Sequence, residues 1–369
     1  MYIKNLHLVN FRNYNELNIE LINGVNIFIG NNAQGKTNIL EGIYYCSLAK
    51  SHRTNKDKEL INWNSEETYI KAYIVKERLN KSIEIKIFKD GKKGIRINNI
   101  KANKIQELIG VFNVVLFSPE DLKIVKESPS HRRKFIDIEL CKLNPKYYYS
   151  LVQYNKVLNE RNTLLKKWNE KIEDVIEVYD NQLAAFGAFI VKERLRYMKL
   201  LNDKGNVIHK EITSELEDIR FKYITTLKDF DNVEAGLKEL FKKNLKGDME
   251  KRTTSHGPHR DDFSIDINGI DTRSYGSQGQ QRTAVLTIKF SSLEIIKDQT
   301  GEYPILLLDD VLSELDLYRQ KYILNSINNV QTIVTCTGIE NIKSYLNESA
   351  KVFTVHEGKV TKEYTLKEY

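Results

Sequence analysis

Residues 30–37 read GNNAQGKT, and no other stretch constrains the chain as tightly. Gly30, Gly35, Lys36 and Thr37 fit the spacing G-x-x-x-x-G-K-[ST]. Before the loop runs VNIFI (residues 25–29), apolar and β-branched. After it runs NILEGIYYCSLA, with Ile39, Leu40, Ile43 and Tyr44 at helical spacing. The loop therefore sits between a strand and a helix, the context this motif requires. Its glycines let successive N–H groups turn toward phosphate oxygens, and the helix N-terminus adds a positive dipole end. On this reading Gly30, Asn31, Asn32, Ala33, Gln34 and Gly35 form the phosphate cradle of ATP. Lys36 reaches the β- and γ-phosphates, and Thr37 binds Mg²⁺. The plain alternative is a glycine-containing turn before a helix. It is weakened because spacing, residue types and flanks all agree.

A second segment fits the same chemistry. ILLLDD (residues 305–310) is an apolar strand ending in two acids. Beside a phosphate loop, Asp309 belongs in the Mg²⁺ shell and Asp310 is placed to polarise an attacking water. SELD (residues 313–316) follows, with Ser313 expected as a helix cap and Asp316 in the first turn. A third segment is YGSQGQQR (residues 275–282). There Ser277, Gln278, Gly279 and Gln280 precede what reads as an amphipathic helix. A serine, a glycine backbone and a helix start make a second anion-binding surface. It has no task beside the phosphate loop of its own chain. It gains one if two chains meet head to tail, each offering this surface to the other's γ-phosphate.

The organisation follows from these placements. With 369 residues, about two to three domains are expected. Residues 1–30 read as two strands with an Asn23-Gly24 turn, and residues 68–100 as an antiparallel meander turning at Asp90-Gly91. From about residue 130 glycine becomes scarce. Leu151, Tyr154, Leu158, Leu165, Trp168, Ile172, Val175, Tyr179 and Phe186 then form a helical stripe interrupted by Arg161 and Gln182. Packed helices are favoured over a coiled-coil hairpin there. Residues 206–250 read as helix–strand–helix. The expected fold is α/β: a P-loop ATPase head, a mixed sheet with helices, carrying an inserted, mainly helical arm lobe. The boundaries are 1–125 for the N-terminal ATPase part, 126–250 for the lobe and 251–369 for the C-terminal ATPase part.

Composition adds exclusions. No run of about 18 apolar residues marks a membrane span, and the N-terminus lacks a secretory h-region. Cys46, Cys141 and Cys336 lie too far apart for a CxxC site or a disulfide framework, and fit a reducing cytoplasm. A net charge of +7 permits contact with DNA without requiring it. The basic clusters Ser51-His52-Arg53 and His131-Arg132-Arg133-Lys134 make Arg53, Arg132 and Arg133 the DNA-contact candidates. HGPHRDD (residues 256–262) holds the types of residue a metal site uses, but reads better as a structured junction loop.

GNNAQGKT, YGSQGQQR and LLLDDVLSELD, in this order, resemble the Walker A, signature and Walker B/D-loop segments of ABC-type ATPase heads, nearest the SMC-like repair ATPases. FRNY (11–14), KSHRTNKDKELI (50–61), FSPEDL (117–122), SPSHRRKFID (128–137), YNKVLNERNTLL (154–165) and HGPHRDD resemble the bacterial RecF family over nearly the whole chain. That resemblance implies an ATP-dependent homodimer and binding to gapped or single-stranded DNA at junctions. It implies work with RecR and RecO, indirectly RecA loading in recombinational repair and the SOS response, and weak DNA-dependent ATP hydrolysis. It also implies a cytoplasmic, nucleoid-associated location and places Arg12 near the nucleotide. Departures are visible. Asp310 stands where ABC heads carry Glu, the signature reads SQGQ rather than SGGQ, no glutamine marks a Q-loop at FSPED, and Thr335 and Thr337 stand where transporters carry His. The competing readings are an ABC transporter-type ATPase subunit and a small-molecule P-loop kinase.

Overall fold

The computed structural model describes residues 1–167, 173–327, 329–340, 343 and 346–368. The chain divides into two compact units, residues 1–121 with 292–369, and residues 122–291.

The first unit opens with β1 (Tyr2–Phe11), β2 (Tyr14–Glu20) and β3 (Val25–Ile29), then α1 (Lys36–Leu48). There follow β4 (Glu67–Val75), β5 (Lys81–Phe88), β6 (Lys93–Ile97), β7 (Ile100–Lys101) and β8 (Val114–Phe117). The second unit holds α2 (Leu122–Lys126), α3 (Pro129–Leu143), α4 (Pro145–Lys166), α5 (Glu173–Thr213), β9 (Ile219–Ile224) and α6 (Val233–Lys251). It continues with β10 (Asp262–Ile267), β11 (Ile270–Asp271), α7 (Thr272–Tyr275) and the first part of α8 (Gln278–Thr300). The first unit resumes within α8 and ends with β12 (Ile305–Asp309), α9 (Leu317–Ser326), β13 (Thr332–Cys336), β14 (Lys351–His356) and β15 (Lys359–Thr365).

The first unit contains two six-stranded sheets. One is antiparallel in the order β2-β1-β4-β5-β6-β7. The other runs β15-β14-β3-β13-β12-β8, parallel except at its β15 edge. The central parallel strands β12 and β13 are buried at every residue, as strands covered on both faces must be. Helix α1 packs against β1, β4 and β5 of one sheet and β8, β12 and β13 of the other. That explains its burial on nearly every side, beyond the stripe legible in the sequence. Gly42 allows the approach, since a Cβ there would lie 3.0 Å from Leu8 Cδ2. The fully buried Ile39, Leu40 and Ile43 each contribute about 1.5–3 kcal/mol of burial.

Residues 1–30 form three strands rather than two. The chain turns at Arg12-Asn13, where Arg12 has φ 53° and Phe11 pairs with Tyr14. Asn23-Gly24 closes no hairpin, because β2 and β3 belong to different sheets. The bend there is held by side chains. Asn26 Nδ2 donates to the Ile22 and Gly24 carbonyls, and Gln331 Nε2 donates to those of Ile3 and Ile22. The meander and its Asp90-Gly91 turn are present as expected.

In the second unit, α4 and α6 pack on the 41-residue α5, beside the sheet β11-β10-β9. Asn144 caps α4, its Oδ1 accepting from Lys146 N at 3.0 Å, with Pro145 in the first turn. Of the expected stripe, Tyr154, Leu158 and Leu165 are buried, Val175 is exposed, and Trp168 and Ile172 lie outside the described residues. Arg161 is the largest correction: a charged residue read as an interruption is fully buried. The unit also runs past the expected boundary at residue 250, because β10 pairs with β9 along its length and ties residues 262–267 to 219–224.

Helix α8 is buried on nearly every side rather than amphipathic. Thr283, Thr287 and Ser291 return their hydroxyls to the carbonyls of Gly279, Thr283 and Thr287, which hides their polarity within the helix. Asp316 is the N-cap of α9, accepting from Arg319 N at 3.0 Å, and not a first-turn residue led by Ser313.

Candidate functional site

The phosphate-loop motif lies between β3 and α1, with Lys36 opening the helix. Gly30 is obligatory because a Cβ would meet the Val355 carbonyl oxygen at 2.3 Å. Gly35 has φ 112° and a Cβ there would lie 2.6 Å from Asn13 Nδ2. Two neighbouring turns clamp the loop. Asn13 Nδ2 donates to the Gln34 carbonyl at 3.0 Å, and Asn38 Nδ2 donates to Asn13 Oδ1 at 2.8 Å. From the β14–β15 turn, Glu357 N donates to Gln34 Oε1 at 2.7 Å and Gly358 N to the Gln34 carbonyl at 3.0 Å. Lys36 is buried, and its Nζ donates to the carbonyls of Gly30 at 2.8 Å and Asn31 at 3.0 Å. A cavity of about 400 Å³ opens over the loop, lined by residues from Asn32 to Asn38 together with Arg53 and Asp310.

The acidic side comes from β12. Asp309 Oδ1 accepts from Thr37 Oγ1 at 2.8 Å and from Thr335 Oγ1 at 2.9 Å. Strand order explains the third partner: β13 lies between β3 and β12 and carries Thr335 to both acids. Asp310 N donates to Thr335 Oγ1 at 3.0 Å, with Asp310 at φ 53°. Burial pushes the Asp309 carboxyl above the usual range; the two hydroxyls oppose this and the Asp310 charge adds to it. Thr37 lines the cavity and Asp309 is bonded to its hydroxyl; a hydroxyl and a carboxylate oxygen so paired are the hard donors that Mg²⁺ takes, so these residues fit that ion.

Arg12, half-buried, is held in an ion pair with the buried Glu41. Its Nε and Nη2 donate to Glu41 Oε2 and Oε1 at 2.8 and 2.7 Å, and its Nη1 donates to the Glu59 carbonyl at 2.8 Å. Burial raises the Glu41 carboxyl, but hydrogen bonds from Arg12 and Ser51 and the charges of Arg12 and Arg53 hold it below the ordinary range. Sequence reading missed Glu41. The signal was available, as a lone acid inside the apolar run ILEGIYY. Thr335, which stands where transporters carry His, is bonded to Asp309.

The basic candidates separate. Arg53 donates to Asn38 Oδ1 at 2.8 Å and lines the phosphate-loop cavity, so it faces that cavity. Arg132 is 3% exposed and bonded at all three of its guanidinium nitrogens. Its Nε and Nη2 bond Asp262, and its Nη1 bonds the carbonyls of Ile124 and Glu127. It is withdrawn as a DNA contact, because its donors are buried against these acceptors. Arg133 is half-buried, with Nη1 on the Asp261 carbonyl at 2.9 Å.

In the HGPHRDD loop, His259 Nε2 lies 3.0 Å from the Thr254 carbonyl, so it carries the proton, and Nδ1 accepts from Tyr154 Oη at 2.7 Å. Burial lowers its pKa to about 4. An unfolded imidazole titrates near 6.5. The folded state therefore binds this proton later than the unfolded one. Its contribution to stability is complete above the unfolded value and is lost as pH falls toward the folded one. Between pH 7 and 5 this group should remove about 2 kcal/mol. Denaturant unfolding at both pH values tests this, since His259→Gln should reduce the pH dependence by about that amount.

At the signature segment, Ser277 N donates to Gln280 Oε1 at 2.9 Å and Gln280 N donates to Ser277 Oγ at 3.2 Å. This is a reciprocal cap at the start of α8. Helix α8 begins at Gln278, so Gly279 and Gln280 sit in its first turn rather than before it. Ser277 and Gln278 are exposed.

The family described as RecF/RecN/SMC N terminal domain matches residues 2–361. The DNA replication and repair protein RecF of Clostridium novyi (strain NT) is 66% identical over 360 residues, covering 98% of this chain and 99% of that one. The chain belongs to the RecF family. The solved structure of the recombination mediator protein RecF-ATP in the RecFOR pathway is 38% identical, with a TM-score of 0.91, covering 99% of this chain and 98% of that one. An Smc head domain with an extended coiled coil, bound to the C-terminal domain of ScpA and derived from Pyrococcus furiosus, has a TM-score of 0.58 at 17% identity over 100% of this chain and 97% of that one. That likeness shows the fold alone. The α/β, ABC-type ATPase head expected from the motifs is the fold of this RecF-family chain.

Proposed function

We propose that this chain is a DNA replication and repair ATPase that uses ATP as the clamp of a homodimer. The observation that carries this is the convergence of Lys36, Thr37 and Asp310 at one cavity, with Thr37 bonded at 2.8 Å to Asp309, 272 residues away in the chain. Backbone N–H groups of residues 30–35 and Lys36 hold the phosphates, and Thr37 and Asp309 hold Mg²⁺. The ion neutralises charge on the β- and γ-phosphates when bound. Asp310 is the candidate acceptor of the water's proton as the water oxygen bonds the γ-phosphorus and the bond to the β-phosphate oxygen breaks. Its side chain is one methylene shorter than glutamate, which fits slow turnover. Arg12, bonded to Glu41 of α1, braces the helix that follows the loop. Ser277, Gln278 and Gly279 of a second copy face the γ-phosphate, so the dimer alone has the whole site, and ATP shifts the monomer–dimer equilibrium.

The dimer binds DNA at single-strand/double-strand junctions or gaps, without sequence preference, and works with RecR and RecO toward RecA loading and the SOS response. It acts in the cytoplasm at the nucleoid, and hydrolysis, stimulated by DNA, releases the clamp. Support comes from the family membership and from the RecF-ATP relative, which belongs to the RecFOR pathway. The test is binding to labelled gapped duplex, with blunt duplex and single strand as controls, with and without ATP–Mg²⁺, while light scattering follows dimer formation. ATP should raise both the dimer fraction and gapped-DNA binding. A chain that ATP leaves monomeric refutes the clamp.

A further inference from the structure

The signature segment is tied to a residue that neither the motif nor the phosphate chemistry accounts for. Gln280 Nε2 donates to Glu217 Oε1 at 2.8 Å. The same glutamine's Oε1 holds Ser277 N, so both ends of its amide are engaged. Glu217 lies in the short link between α5 and β9, and this link is fixed in place. Asp218 N donates to Asn268 Oδ1 at 2.9 Å, and Asn268 N donates back to the Asp218 carbonyl at 2.9 Å. Asn202 of α5 bonds both the N–H and the carbonyl of Phe221 in β9. The other Glu217 oxygen lies 3.4 Å from Nε2 of the fully buried His209 of α5, whose Nδ1 is 2.8 Å from Thr287 Oγ1 of α8. Glu217 is thus a rigidly mounted acceptor, joined through one glutamine to the exposed serine of the signature.

We propose that Glu217 is a positioning residue for ATP-dependent dimerisation. By holding Gln280 Nε2 it fixes the rotamer in which Gln280 Oε1 accepts from Ser277 N. That sets where Ser277 and the first turn of α8 meet the partner's nucleotide. The α5–β9 link of the lobe thereby controls the signature surface directly. A carboxylate has no favourable contact to make with a phosphate, so its place beside this surface is explained by orientation of the amide rather than by ligand contact. The inference rests on the clamp reading above.

Two conservative variants separate geometry from charge. Glu217→Gln keeps an acceptor oxygen at the same reach and loses the charge. Glu217→Asp keeps the charge and loses one methylene of reach. In the full-length chain, light scattering against ATP–Mg²⁺ concentration gives the dimerisation constant, and a fluorescent ATP analogue titrated at chain concentrations below dimerisation gives the affinity of the phosphate loop. Glu217→Asp should weaken ATP-dependent dimerisation about tenfold, the weight of one hydrogen bond to a charged group. Glu217→Gln should stay within about threefold of the unaltered chain, as a neutral acceptor in the same place allows. Both should bind the analogue as the unaltered chain does. Unaltered dimerisation of Glu217→Asp overturns the proposal, and so does a Glu217→Gln variant as defective as Glu217→Asp. An unaltered chain that does not dimerise on ATP removes the clamp reading and this inference together, whereas one that dimerises while both variants match it removes only this inference.

Discussion

Lys36→Arg should leave the chain folded, abolish ATP-dependent association and lower hydrolysis about a hundredfold or more, the weight of one pre-placed charge donor at a transferring phosphoryl group. The reason is geometric. The Lys36 ammonium is a compact charge within 3.0 Å of two loop carbonyls, in a residue only 4% exposed. An arginine keeps the charge but carries a longer, planar fork that requires different partners. It would displace the donors from the γ-phosphate without removing a core contact. Helix α1 should persist, because the two residues have similar helix propensity. Phosphate release and light scattering check the loss of function, and circular dichroism checks the fold. Unchanged association and turnover would remove Lys36 from its assigned role.

The largest effect on stability should come from Arg161→Ala. This guanidinium is fully buried in the second unit. Its Nε donates to Asp180 of α5 at 2.6 Å, and its Nη1 donates to Asp248 of α6 and to Thr254 Oγ1, both at 2.8 Å. One side chain of α4 therefore ties together three helices. Removing it leaves two carboxylates facing each other in a low-dielectric interior, and breaking one side of such a network costs about 3–5 kcal/mol. Burial already raises the Asp180 carboxyl against the opposing Arg161 charge, and the variant loses that opposition. Asp180 then takes up a proton more readily in the folded state than in the unfolded one. The deficit should therefore shrink as pH falls from 7 toward 5. Denaturant unfolding at the two pH values measures both quantities. A loss below about 1 kcal/mol at pH 7, the scale of an exposed pair, would show that Arg161 does not tie the three helices together.

The local structure of the candidate site was legible in the sequence wherever it depends on contiguous residues. A phosphate loop is a backbone device, and its glycines, its lysine and its strand and helix flanks are neighbours in the chain. The same holds for the apolar β12 run that ends at Asp309. The helical character of residues 130–205 was also legible, because periodicity is local. The sequence did not reveal that Arg12 serves Glu41, that Arg132 serves Asp262, or that Thr335 holds Asp309. These pairs join positions 29, 130 and 26 residues apart. Each exists only because sheet order or helix packing brings distant segments within hydrogen-bonding range. A basic run such as HRRK reads as an exposed surface until burial decides otherwise, since arginine pairs as readily with a carboxylate as with a phosphate.

Turn signals illustrate the same division. Asp90-Gly91 behaved as its composition implies, because β5 and β6 continue one antiparallel sheet. Asn23-Gly24 did not, because the next strand was drawn into the parallel sheet between β14 and β13. By itself, then, the sequence determined the strand–loop–helix setting of residues 30–37, the apolar strand that ends at Asp309 and the α/β class of the fold. Only the tertiary structure decided which strands share a sheet, which charged residues are buried in pairs and which residue holds the signature glutamine. Propensity and spacing act over a few residues, whereas pairing of buried polar groups is settled by what the completed fold places opposite them.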